Sequence, residues 1–174
     1  SQVSMEHGLT GATFTISTAC SSANHAIGHA FWLVRQGTLD AAITGGSEAP
    51  LTLGHLKAWE SMRVVSPDMC RPFSKDRSGM ILGEGGAMFV IETLDSAITR
   101  GAKIYAEITG FGMSADAHHL TMPLVEGAAK AMRGALSDGN TRPETVGYIN
   151  AHGTATQAND VMESNAIRLV FGEH

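Results

Sequence analysis

Two short stretches hold the residue types that could do chemistry. In "STACSSA" (17–23) a cysteine, Cys20, sits among small residues where a β-rich run, "TFTIST" (13–18), turns into a segment of helical spacing. A thiol in the first turn of a helix feels unpaired backbone N–H groups and the positive end of the macrodipole, which favour thiolate over thiol. The same N–H groups can cradle an oxyanion, and Ala19, Ser21, Ser22 and Ala23 leave room for a substrate carbonyl. That is nucleophile chemistry; a buried, inert cysteine is an equal reading of the local pattern alone. The second stretch, "NAHGTATQAND" (150–160), places His152 at the end of a strand, beside Gly153, Thr154 and Thr156.

The elements that must position these residues follow from periodicity. Ala23, Ala26, Ile27, Ala30, Phe31 and Val34 have helical spacing, the run from Phe31 to Val34 makes that helix apolar on more than one face, and Gly37 ends it. "DAAITGG" (40–46) reads as a strand and "LGHLKAWESM" (53–62) as a helix. The loop "RVVSPDMCRPFSKDRSG" (63–79) then concentrates positive charge. Next come a glycine-rich entry "LGEGG" (82–86), the strand "AMFVIE" (87–92), a short helix to Gly101 and the strand "IYAEITGFG" (104–112). Val125, Ala128, Ala129, Met132 and Leu136 mark a helix, "VGYINAHGT" (146–154) a strand into a loop, and Met162, Ala166, Leu169 and Val170 a last helix stopped by Gly172. Short apolar strands alternating with helices indicate a layered α/β fold, read as one unit.

Composition narrows the classes. The 174 residues carry a net charge of −5 with signs interspersed, so nucleic acid and anionic membrane surfaces are poor partners. Cys20 and Cys70 are the two cysteines, with no CxxC, which argues against a disulfide framework or a thiolate zinc site and fits a reducing cytoplasm. No window approaches the roughly eighteen apolar residues of a membrane span. The chain opens without Met, in what reads as the tail of a helix.

"STACSSA" and the later "NAHGTAT", with "GGSE", "RPFSKDRSG", "GEGG" and "GFGMSADAHH" between them in order, resemble the β-ketoacyl-[acyl-carrier-protein] synthases over essentially the whole chain. "STACSSANHAIGHAFW" and "LGHLKAWESMRVVSPDMCRPFSKDR" are also similar to the nodulation protein E branch of that family. A polyketide ketosynthase is the alternative, although that class usually reads "EAHGTGT" at "NAHGTAT". The resemblance implies a thiolase-like αβαβα fold. Residues 1–174 would be one partial synthase domain, from the end of the N-terminal half to the start of the C-terminal half.

The resemblance also implies roles. Cys20 would take an acyl group from phosphopantetheine on acyl carrier protein. His152 would stabilise the enolate formed when malonyl thioester loses carbon dioxide, and Thr154 and Thr156 would hydrogen-bond the pantetheine arm. Trp59 would border the acyl pocket, and Arg63 would meet the acidic carrier protein. Arg71, Lys75 and Arg77 add positive charge near Arg63, with a solvated face as the favoured reading. No resident cofactor or metal is implied, and the whole enzyme would be a homodimer. Relatives continue to a lysine and second histidine in "KSxxGHxxGA" and to a "GFGG" loop. Neither motif occurs in the 174 residues, so this segment alone is expected to be inactive and prone to aggregate.

Other candidates read as structural. His25 and His29 lie four apart on a helix without a third ligand nearby in sequence. Asp116 and His119 fit a family "SxDxxH" stretch, "GEGG" is not a nucleotide-binding GxGxxG, Cys70 is incidental, and Asp160 reads as the cap of the final helix. A non-catalytic partner of the same fold, like a chain-length factor, would be expected to have replaced Cys20.

Overall fold

The computed structural model describes residues 2–119 and 121–172. In chain order the elements are α1 (Gln2–His7), α2 (Ser22–Arg35), β1 (Ala41–Glu48), α3 (Leu53–Ser61), β2 (Gly85–Glu92), α4 (Leu94–Thr99), α5 (Val125–Asp138), a 3-10 turn (Pro143–Thr145) and α6 (Gln157–Phe171). They fall into two compact units, Ser1–Ser47 with Gly85–Ile108 and Glu48–Glu84 with Thr109–His174.

In the first unit α2 is covered on several sides. From His25 to Val34 no residue is exposed, and Gly28, Ala30, Phe31 and Val34 are buried, as its multi-faced apolar pattern requires. Its C-terminus closes with Gly37 at φ +71° and with the Thr38 N–H returning to the Leu33 carbonyl at 2.9 Å. β1 and β2 pair in a two-stranded sheet, and α2 packs against β2. Thr93 caps α4 by accepting the Ser96 N–H at 3.3 Å. Glu92, ion-paired to Arg100 and accepting the Ser96 hydroxyl, fastens the end of β2 to that helix.

In the second unit α5 and α6 pack on each other, with Ala129 and Ala166 fully buried. Loop 63–80 is pinned by a bridge between Val65 and Met80, in which the Ser66 N–H reaches the Met80 carbonyl and the Met80 N–H the Val64 carbonyl, each at 2.8 Å. Inside it, Arg71 pairs with Asp68 at 2.9 Å. That guanidinium, with the Ser66 hydroxyl and the Met69 N–H, holds the Asp68 carboxyl down at about 2. Glu84, from "LGEGG", accepts the Leu51 N–H at 3.1 Å ahead of α3. Asp116 accepts the Leu124 N–H at 2.7 Å and so holds the start of α5, which makes the "SADAHH" stretch structural at that position.

The helices stand where the periodicity places them, and the strands less so. Segments 13–18, 104–112 and 146–151, expected as strands, form no ladder among the described residues, where β1 with β2 is the sheet. A helix closes its hydrogen bonds within its own segment, whereas a strand exists only beside a neighbour. Among the described residues no helix is long and apolar enough to cross a membrane.

Candidate active site

Cys20 is exposed, which removes the inert buried reading. The sequence places it in the first turn of a helix; the structure places it just outside, because Ser21 is the N-cap of α2 and the helix starts at Ser22. Serine hydroxyls make the difference. Ser21 Oγ donates to the Thr18 carbonyl at 2.8 Å, Ser22 Oγ donates to the Ala19 carbonyl at 2.6 Å, and the Thr18 N–H donates to Ser22 Oγ at 2.9 Å. These bonds fold 18–22 into a turn before the helix begins, with Ala19 at φ +53°. A left-handed non-glycine residue beside a nucleophile candidate is the mark of a sharp, held corner.

Two further contacts fix that corner. The His25 Nδ1 lies 3.0 Å from both Thr18 Oγ1 and the Ser21 carbonyl, which gives this histidine a structural task. A Cβ on Gly46 would come within 2.7 Å of the Ala23 Cβ, so the end of β1 and the mouth of α2 meet where only glycine fits.

His152, Thr154 and Thr156 share one loop of the second unit. His152 is exposed, while Thr154 and Thr156 are half-buried with their hydroxyls 2.9 Å apart. Gly153 stands at φ +53°, and a Cβ there would lie 3.2 Å from Pro72 and 3.3 Å from the Phe73 ring. Thr156 also caps α6 by accepting the Asn159 N–H at 3.3 Å.

Three residues that sequence reasoning assigned elsewhere or missed hold this loop. Glu163 accepts the His152 N–H at Oε1 (2.6 Å) and the Gly153 N–H at Oε2 (2.9 Å). Asp160 does not cap α6, since Thr156 does; it is 2% exposed and pairs with Arg77 at 3.6 Å. Arg77 is accordingly no solvated surface cation: with 13% of its side chain exposed it also donates to the Thr156 carbonyl at 3.2 Å. The available signal was spacing, because Asp160 and Glu163 follow "NAHGTAT" three apart on one helix face. Cys70 is half-buried, and its thiol lies 3.8 Å from the Thr154 carbonyl.

On α3, Trp59 is half-buried and its indole N–H donates to His55 Nε2 at 2.7 Å. Arg63 is exposed just beyond that helix at φ +57°, with its N–H on the Glu60 carbonyl at 2.9 Å. Open recesses of about 220 and 610 Å³ lie along α6, around Phe73, Ser164 and Arg168; His152, Thr154 and Thr156 line neither.

The family model for the beta-ketoacyl synthase N-terminal domain matches residues 1–97, and that for its C-terminal domain residues 105–174. Nodulation protein E of Rhizobium sp. (strain N33) is 54% identical over 173 residues, covering 99% of this chain and 43% of that protein. A 3-oxoacyl-[acyl-carrier-protein] synthase 2 of Staphylococcus aureus is 44% identical over 179 residues, covering 99% and 44%. Among solved structures, a type II polyketide ketosynthase, in complex with its acyl-carrier protein and bound to a hexaketide, superposes with a TM-score of 0.95 at 35% identity, over 99% of this chain and 44% of that one. The chain thus spans less than half the length of these relatives. Its fold is part of the thiolase-like ketosynthase fold, and the chain belongs to the beta-ketoacyl synthase family of condensing enzymes.

Proposed function

We propose that the protein carrying this chain extends an acyl chain by decarboxylative Claisen condensation with malonyl-acyl carrier protein. The observation that carries the reading is the exposed Cys20 thiol on a held turn at the mouth of α2. The Cys20 sulfur attacks the acyl thioester, and the phosphopantetheine thiol leaves with a proton, giving an acyl-enzyme. Malonyl thioester then loses carbon dioxide, and the neutral His152 imidazole donates an N–H to the enolate oxygen. The enolate carbon attacks the acyl-Cys20 carbonyl, the Cys20 thiolate is released, and a β-ketoacyl thioester results. The Cys20 N–H is one oxyanion donor.

Thr154 and Thr156 hold the pantetheine arm with their adjacent hydroxyls, Trp59 borders the acyl pocket, and exposed Arg63 meets the acidic carrier. The enzyme works as a cytoplasmic homodimer without a resident cofactor or metal. The S. aureus and Rhizobium relatives favour fatty-acyl chains, including those of nodulation pathways. The polyketide ketosynthase match favours a second reading with polyketide substrates. Incubating the full-length protein with labelled acyl-carrier thioesters tests the reading. Cys20→Ala should load no label, and His152→Ala should load it yet lose condensation by about 10²-fold or more. A folded His152→Ala protein that fails to load overturns this division of labour.

A further inference from the structure

Phe73 and Ala155 lie 82 positions apart and share a backbone state that side chains avoid, with φ +62° and +61°. Both donate their backbone N–H to the same carboxylate: Phe73 to Asp160 Oδ2 at 2.6 Å, and Ala155 to Asp160 Oδ1 at 3.1 Å. Asp160 is 2% exposed, so an unmet oxygen there would be costly, and each oxygen takes one of the two strained N–H groups.

Arg77 closes the arrangement. Besides pairing with Asp160 it donates to the Thr156 and Gln157 carbonyls at 3.2 and 3.4 Å, and the Gln157 side-chain amide returns to the Arg77 carbonyl at 3.0 Å. Loop 73–77 is therefore fastened by the Asp160 carboxylate at residue 73 and by the Thr156 and Gln157 carbonyls at residue 77. Ala155 stands between Thr154 and Thr156, so turning its peptide out of the left-handed region would part the two hydroxyls now 2.9 Å apart.

We propose that Asp160 is a positioning residue: it holds Phe73 and Ala155 together in the left-handed conformation and thereby sets the Thr154–Thr156 hydroxyl pair for the carrier's pantetheine arm. This rests on the carrier-thioester reading above. Asp160 itself touches no reacting group; it acts through the two strained peptides.

The full-length protein tests this with Asp160→Asn, whose amide can accept only one of the two N–H groups. Amide hydrogen exchange on ligand-free protein should show whichever of Phe73 and Ala155 faces the new NH2 group losing protection, while α6 keeps its own. The KM for acyl-carrier thioester should rise about tenfold with kcat little changed, and iodoacetamide alkylation of Cys20 should be unaltered. Adding Ala155→Gly, which enters the left-handed region freely, should recover most of that KM. Phe73→Pro removes one donor and forbids positive φ at an exposed residue, and it should raise KM even if Asp160→Asn does not fold. Retained protection at both amides, a KM unmoved by Phe73→Pro, or no recovery with Ala155→Gly overturns the proposal. A wild-type protein that loads no acyl group overturns the carrier-thioester reading and the functional half of this proposal together, while the exchange pattern still decides whether Asp160 holds the two residues.

Discussion

Glu163 on α6 accepts the main-chain N–H of His152 at 2.6 Å, and its second oxygen takes the neighbouring Gly153 N–H at 2.9 Å. The carboxylate grips the backbone at 152 and 153, and the His152 residue itself is exposed. Asn159 braces it, donating its side-chain amide to Glu163 Oε2 at 3.2 Å.

Glu163→Ala should therefore release the histidine turn without touching the thiol. The expected result is a fall in malonyl decarboxylation of about 10²-fold, the scale of a misplaced catalytic group, with acyl loading of Cys20 preserved. Parallel assays of carbon dioxide release and thiol acylation check it; equal losses in both would count against a role through His152.

Gly46→Ala should disturb the corner that carries Cys20. The added methyl would lie 2.7 Å from the Ala23 Cβ, closer than carbons approach, so β1 or the start of α2 must shift. Overpacking of this kind costs about 1–3 kcal/mol. A lowered unfolding midpoint together with a changed rate of Cys20 alkylation is expected, and denaturation curves with iodoacetamide kinetics measure both.

The Asp68 carboxyl titrates at about 2 rather than 3.8, chiefly because of the Arg71 guanidinium. A carboxylate lowered in the folded state contributes stability that is fully present above 3.8 and is lost as the pH falls through about 2. Both side chains are substantially exposed, so the contribution is small and weakens with salt. Arg71→Ala should move the Asp68 titration up toward 3.8, read from its carboxyl carbon by NMR.

Met88, Phe89 and Val90 of β2 are 57%, 55% and 60% exposed, which leaves large apolar side chains uncovered on both faces of a two-stranded sheet. Expressed alone, the 174 residues should self-associate, and light scattering after size exclusion should report species above the monomer. A monodisperse monomer with a cooperative thermal transition would refute this.

Neighbouring residues alone disclose the helices, a thiol set among small residues and the family motifs. Helical spacing from Ala23 to Val34, a glycine after the last turn and small residues around a thiol are local facts, written in neighbouring positions. The places of Asp160, Glu163 and Arg77 emerge from contacts across the fold instead. Asp160 has the look of a cap and Arg77 of a surface charge until the chain brings residue 73 against residue 160 and residue 77 against residue 156. The strands divided the same way, since alternation marks a segment as able to pair, while pairing itself depends on a partner elsewhere in the chain. Local periodicity needs only the torsions of adjacent residues; a carboxylate that clamps peptides 73 and 155 needs a fold to bring them to 2.6 and 3.1 Å from it, and no spacing along the chain encodes the approach of residue 73.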